Sequence, residues 1–299
     1  MANTTTIKRR INSIKNTRQI TKAMELVASS KLRRAQNQAE MTRNYRQAAY
    51  RLLARLSRVR EVEQQPLFKK RTIKTKLYIL ISSNSGLAGA YNSNVFKKLT
   101  SALEQDKAKG VKSRVITIGS KGVQLVRQLK GVELEAHYPN FGDEPTENDI
   151  RPILDYIVDG YAEAKIDSVH LIYTVFKSSI TQEATNLALL PAHLEPRASD
   201  QIKPIDDDKL PEIDMNFEPD VETVVHHVTA RLIESQIWQA LLESLASEYA
   251  MRMMAMKNAT DNANDLIDDY TLEYNTARQA AITQELAEIT GGAEALSET

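Results

Sequence analysis

Glycine and proline are missing from two long terminal stretches, and this constrains the chain more than any other feature. The first proline is Pro66 and the first glycine is Gly86; after Pro219 neither occurs until Gly291. Since these residues punctuate regular structure, their absence predicts two uninterrupted helices. The first starts after Thr4, Thr5 or Thr6, any of which can cap free backbone N–H groups, and runs to about Arg58. The second has Pro219 at its entry, Asp220 and Glu222 on the positive end of its dipole, and Gly291-Gly292 as the expected stop. At 1.5 Å per residue such helices measure roughly 80 and 105 Å, far beyond the width of a small domain. A simple globule cannot contain them.

The apolar residues of both stretches recur at three-four spacing. On the first helix they are Ile7, Ile11, Ile14, Ala28, Leu32, Ala35, Ala39, Ala49, Leu53 and Leu56. The second helix carries Leu242, Leu245, Tyr249, Met256, Ala259, Ala263, Leu266, Tyr270, Ala277 and Ala280, with Arg252 and Glu273 interrupting the seam. This is a coiled-coil pattern, and its alanines allow close helix approach. Both helices lead into the same middle segment, so they can pair only in antiparallel sense.

Charge agrees with that pairing. The 39 basic and 39 acidic side chains cancel overall, but residues 1–60 hold 15 Lys/Arg against Glu25 and Glu40 alone. Residues 206–299 hold 5 Lys/Arg against 20 Asp/Glu. Exposed ion pairs contribute only tenths of a kcal/mol each, so charge selects partner and register while seam packing supplies most of the stability. With Arg58 near Val221, Ile7 falls near Leu272, and the end of the second helix then has no partner in the chain. That overhang presents Ala277, Ala280, Ala281, Ile282, Leu286 and Ile289. Something outside the chain is expected to enclose it.

The middle segment changes period. Strands are expected at Ile73–Ser82, Ser113–Ile118, Val132–Tyr138, Ser168–Phe176 and Thr181–Leu190, with helices at Ser93–Lys109, Lys121–Leu129 and Glu147–Ala164. Alternating strand and helix indicates a mainly parallel sheet with helices packed on it, closed by a hairpin. The expected fold class is α/β: a long antiparallel coiled coil of the terminal helices plus a Rossmann-like α/β middle domain. Its parts are residues 1–60 for the first coiled-coil helix, 71–195 for the middle domain, 196–219 for a polar connector and 220–290 for the second coiled-coil helix.

Chemistry is sparse. With no cysteine there is no disulfide, thiolate zinc site or cysteine nucleophile, which suits a reducing compartment. No run approaches 18 successive apolar residues, so no membrane-spanning helix is expected. The basic, Ser/Thr-rich start has the composition of an organelle transit peptide, but the pattern continues to residue 60 without a cleavage-like break and reads as mature structure. Segment Ser82–Asn94 joins a strand to a helix, where backbone N–H groups can cradle phosphate, yet it has neither a Gly-x-Gly-x-x-Gly spacing nor a Gly-Lys-Ser/Thr ending. Gly119-Ser120-Lys121-Gly122 is equally short of a motif. Both read as tight turns or helix starts rather than a nucleotide site.

His137, His170, His193, His226 and His227 show no metal-ligand spacing, and no Gly-x-Ser-x-Gly elbow occurs. Asp261, Asp265, Asp268 and Asp269 read as a solvated helix face. Met251, Met253, Met254 and Met256 form a soft packing patch. The basic first helix could meet phosphate backbones, but the acidic residues of its partner helix oppose the field, so nucleic acid is not an expected partner. No catalytic, cofactor or metal site is identifiable. A nucleotide-binding α/β enzyme with a coiled-coil arm is the alternative reading of this architecture.

Four segments carry a family resemblance. The strongest is Ile282-Thr283-Gln284-Glu285-Leu286-Ala287-Glu288-Ile289-Thr290-Gly291-Gly292-Ala293-Glu294-Ala295. It is supported by Arg252–Asn262 with Tyr274–Ala280, and by Ile20-Thr21-Lys22-Ala23-Met24-Glu25-Leu26-Val27-Ala28. In these segments, and in order along the whole chain, the sequence resembles the gamma subunit of F-type ATP synthases. The resemblance implies a rotor: the terminal helices form a shaft inside a ring of three α and three β subunits, while the middle domain and shaft base sit on the c-subunit ring with the ε subunit. It implies no cofactor and no active site here, since catalysis belongs to the β subunits, which the shaft couples to proton flow.

The resemblance further implies that Lys22, Met24, Arg252, Arg278, Gln279, Thr283 and Glu285 face the α/β ring, and that Phe217 and Glu218 lie near the c ring. Where many members carry Asp-Arg before the glycine of the middle-domain loop, this chain has Asn84-Ser85. The cysteine-containing regulatory insertion of chloroplast relatives is missing, which points to a bacterial protein, peripheral on the cytoplasmic face of the cell membrane.

Overall fold

The computed structural model describes residues 4–56, 66–139, 141–142, 145–192 and 221–297. The expected connector 196–219 lies outside them. Helix α1 spans Thr4–Leu56, 53 residues, and helix α5 spans Val221–Ser297, 77 residues, which at 1.5 Å per residue are contour lengths of roughly 80 and 115 Å. Gly291-Gly292 does not end α5, contrary to expectation. A glycine in a helix costs only about 1 kcal/mol relative to alanine, and nothing lies within 4 Å of where a Gly291 side chain would sit.

Between these helices in the chain come β1 (Thr75–Ile81), α2 (Tyr91–Ala108), β2 (Lys112–Ile118), α3 (Ser120–Val126), β3 (Glu133–Tyr138), α4 (Glu147–Ala162), β4 (Ser168–Phe176) and β5 (Gln182–Leu190). The sheet order is β3-β2-β1-β4-β5. Four strands are parallel and β5 returns antiparallel to β4, from Val169 opposite Leu190 to Phe176 opposite Gln182. This is the doubly wound arrangement expected from alternating strands and helices, with each element within a few residues of its sequence-based bounds. Strand β1 is central, which is why Leu77–Ile81 form a continuous apolar run: both faces are covered, and all five residues are buried. On one face Val95, Leu99 and Leu103 of α2 pack against Tyr78, Leu80, Val115 and Ile172.

The described chain divides into two compact units. One contains α1 up to Ala28 with α5 from Arg252 onward; the other contains Ser29–Met251. In the second unit α5 is held against the sheet by Ser244 and Ser247. The Ser244 hydroxyl accepts from the Thr174 N–H at 3.2 Å, and the Ser247 hydroxyl donates to the Thr174 carbonyl at 3.3 Å. Leu241, Leu242, Leu245 and Ala246 are buried on this stretch. Lys31 of α1 lies over the Tyr249 ring within the same unit, 5.8 Å from its centre.

Candidate functional site: the two-helix shaft

The first unit is a two-helix shaft. On α1, Ile7, Ile14, Thr21 and Ala28 recur every seven residues, and all but the half-buried Ile14 are buried. Ile11 and Arg18 form the neighbouring row. On α5 the rows are Met256, Ala263, Tyr270, Ala277 and Thr260, Ile267, Tyr274, Ala281. Spacing of this kind keeps one seam facing a partner helix. Three contacts set the direction and register: the Arg10 guanidinium lies 5.9 Å from the Tyr270 ring centre, Arg18 donates to the Asn264 side-chain oxygen at 3.2 Å, and the Thr21 and Thr260 hydroxyls are 2.8 Å apart. Higher numbers on α1 meet lower numbers on α5, so the helices are antiparallel.

The seam differs from its sequence reading in one row. Leu266, Ala259, Glu273 and Ala280 were expected in it, but Leu266, Glu273 and Ala280 are exposed and Ala259 is half-buried. Thr260, Ile267, Tyr274 and Ala281 take that row instead. With 3.6 residues per turn, positions three and four beyond Met256 flank the same line about equally, and the partner helix decides between them. Continuing the observed register sets Ile7 beside Tyr274 rather than Leu272. Arg252 is buried at the start of the shaft.

Beyond Ala277, α5 runs past Thr4, where the described part of α1 begins. Ile282, Leu286 and Ile289 are exposed here, the last at 68%. Arg278, Gln279, Thr283 and Glu285 are exposed on the same stretch, and the Thr283 hydroxyl donates to the Gln279 carbonyl at 2.9 Å. Lys22 is exposed and ion-paired with Glu25 at 3.0 Å; Met24 is half-buried. The structure thus gathers Arg278, Gln279, Thr283 and Glu285 within about two turns, and sets Lys22 and Met24 beside α5 roughly 30 Å further along it. Phe217 and Glu218 lie outside the described residues. Sequence reasoning missed Thr21 and Thr260 because it sought only apolar seam residues; their seven-residue spacing from Ile14 and Ile267 was the available signal.

The loops after β1 and β2 are occupied with each other. At the start of α3 the Ser120 N–H donates to the Asn84 side-chain oxygen at 3.1 Å, the Lys121 N–H to the Ser83 carbonyl at 3.0 Å, and the Gly122 N–H to the Ser82 hydroxyl at 2.8 Å. The donors that would cradle a phosphate are satisfied by the chain's own oxygens. Asn84 is part of this turn. Among the described residues no group of His, Asp or Glu side chains is placed to hold a metal ion.

A family model described as ATP synthase matches residues 3–296. An ATP synthase gamma chain from Stenotrophomonas maltophilia (strain R551-3) is 42% identical over 297 residues, 99% of this chain and the whole of that one. The chain belongs to the ATP synthase gamma-chain family. A gamma chain of Xylella fastidiosa (strain M12) is 41% identical over the same share of both chains. Among solved structures, the central stalk and c-ring of the Tetrahymena thermophila mitochondrial ATP synthase contains a chain 26% identical, with a TM-score of 0.60, covering 80% of this chain and 99% of that one. A chain of the Euglena gracilis mitochondrial enzyme shares the fold, with a TM-score of 0.63 at 19% identity over 98% of this chain and 94% of that one. As a gamma chain it is a non-catalytic subunit of the central stalk, and the catalytic sites of the enzyme lie on the β subunits. No described helix is long and apolar enough to cross a membrane.

Proposed function

We propose that this gamma chain transmits rotation by seating the far end of α5 inside a ring of three α and three β subunits, while its base rests on the c-subunit ring with the ε subunit. The observation that carries this reading is the stretch beyond Ala277, where Ile282, Leu286 and Ile289 lie exposed on a helix that has run past the described part of α1. A sleeve supplied by other subunits would cover them. Arg278, Gln279, Thr283 and Glu285 would meet that sleeve directly, with Lys22, Met24 and Arg252 meeting its lower rim. Phe217 and Glu218 would meet the c ring. The protein would be peripheral, on the cytoplasmic side of a bacterial membrane.

The physical basis is asymmetry. Three chemically identical sites adopt different affinities only if something contacts each differently, because a symmetric ligand shifts all three equally. A two-helix shaft with one bare, unevenly charged end is such an object. Proton flow turns the c ring, the shaft turns with it, and each β subunit passes in turn through binding, synthesis and release of ATP.

Reconstitution tests this reading. Purified α and β subunits should gain sustained ATP hydrolysis on adding this chain, and the chain alone should show none. Replacing Arg278 and Gln279 with Ala should lower coupled turnover in the assembled enzyme; unchanged turnover would remove both from the contact set. An isolated chain that binds and hydrolyses nucleotide would overturn the proposal.

A further inference from the structure

One level of the shaft seam is polar. Thr21 and Thr260 are buried and their hydroxyls lie 2.8 Å apart; Arg18 and Asn264 meet one turn away at 3.2 Å. Each hydroxyl also lies within donating distance of a carbonyl on its own helix, Thr260 of Met256 at 2.9 Å and Thr21 of Arg18 at 3.0 Å, so when one proton goes to its carbonyl the other can bridge the pair. The flanking seam residues are Ile14, Ala28, Ala263 and Ile267. We infer that Arg18, Thr21, Thr260 and Asn264 form a register lock that fixes α1 lengthwise on α5, so that the two helices move as one body.

Alanine and isoleucine specify register poorly, because after a slip of seven residues small and apolar side chains still face small and apolar side chains. Polar residues within a seam do specify it. A seven-residue slip one way sets Thr21 against Ile267, Thr260 against Ala28 and Arg18 beside Thr271. The opposite slip sets Thr21 against Met253, Thr260 against Ile14 and Arg18 beside Lys257, a like charge. Either slip breaks the bond between the hydroxyls and sets each against carbon, with only its own helix's carbonyl left as a partner. It would also displace one helix along the other by about 10 Å. The four residues are positioning residues, and only their effect on coupling rests on the rotor reading above.

The test uses the assembled enzyme in membrane vesicles and exploits the lack of native cysteine in this chain. Ile14→Cys with Ile267→Cys reports the native register by disulfide formation. Ile14→Cys with Tyr274→Cys, and Ile7→Cys with Ile267→Cys, report the two slips. Combining Thr21→Val and Thr260→Val keeps side-chain shape while removing both hydroxyls. In that background, cross-linking should shift toward a slipped pair by on the order of fivefold, the equilibrium factor of one lost hydrogen bond. Protons pumped per ATP hydrolysed should fall with it, and Thr21→Ser with Thr260→Ser should restore both. If the double variant fails to assemble, Thr260→Val alone gives the same readout. Native-only cross-linking with unchanged pumping overturns the inference. Slippage without loss of coupling supports the lock and counts instead against the rotor reading.

Discussion

The Tyr78 hydroxyl on β1 donates a 2.6 Å hydrogen bond to Asp106 Oδ2 at the end of α2, inside the core of the sheet unit. Lys76 Nζ reaches Asp106 Oδ1 at 2.5 Å and the Ser113 hydroxyl lies 3.3 Å from Oδ2. One carboxylate therefore joins α2 to both β1 and β2. Because Asp106 is 1% exposed, removing it leaves the Lys76 ammonium with no partner in a region poorly reached by water. Asp106→Ala should destabilise the chain by about 3–5 kcal/mol, as breaking one half of a buried ion pair does. Asp106→Asn, which still accepts from Tyr78, should cost less. Urea unfolding checks both, and equal losses would show that the charge carries the contact and that a neutral acceptor for Tyr78 adds little.

The same contact predicts alkaline sensitivity. The Tyr78 phenol is pushed far above its ordinary value, first by burial, then by its hydrogen bond to Asp106 and by that carboxylate's charge. The Tyr156 phenol is pushed up to about 12, first by burial and then by its hydrogen bond to Glu135. An unfolded tyrosine ionises near pH 10, so above that pH the unfolded chain binds fewer protons than the folded one. The stabilisation is complete below about pH 10 and is lost as pH rises toward the folded-state values, at about 1.4 kcal/mol per pH unit for Tyr78. Thermal unfolding between pH 9 and about 12 should show a steep fall, and Tyr78→Phe should flatten it.

Gly119 lets the ends of β1 and β2 close together. Its φ is +94°, and a side-chain carbon there would stand 2.1 Å from the Ser82 carbonyl oxygen. Gly119→Ala should therefore lower stability by more than about 3 kcal/mol, since backbone must move. Gly110 also has a positive φ, +71°, but nothing lies within 4 Å, so Gly110→Ala should cost only about 1 kcal/mol. Comparing the two melting temperatures separates steric collision from backbone preference.

How much of this was legible beforehand depends on what each residue type encodes. The run Leu77–Ile81 announced a strand, though not its central place in the sheet, and the terminal stretches without Gly or Pro announced the long helices. Asn84 and Ser82 gave no such sign: their role is to fill the backbone donors at the start of α3, which depends on two loops far apart in sequence meeting in space. Thr21 and Thr260 were passed over for a related reason. A hydroxyl in a helix normally bonds its own backbone or water, and only a partner helix reveals that two of them face each other. The misread end of α5 has another origin, since glycine weakens a helix without forbidding it.

The choice between Leu266 and Ile267 supplies the last prediction. Both are apolar, adjacent and within one step of the same heptad row, so periodicity alone cannot rank them. In the shaft Ile267 is 8% exposed and Leu266 is 45% exposed. Ile267→Ala removes packing from the seam and should destabilise the shaft by about 2–5 kcal/mol, whereas Leu266→Ala, on the outer face, should stay within about 0.5 kcal/mol. Hydrogen exchange of α1 amides around Thr21 reads the difference locally: protection should fall in the Ile267 variant and hold in the Leu266 variant. The reverse ranking would mean that the outer row is the packed one, and would shift every seam assignment on α5 by one residue.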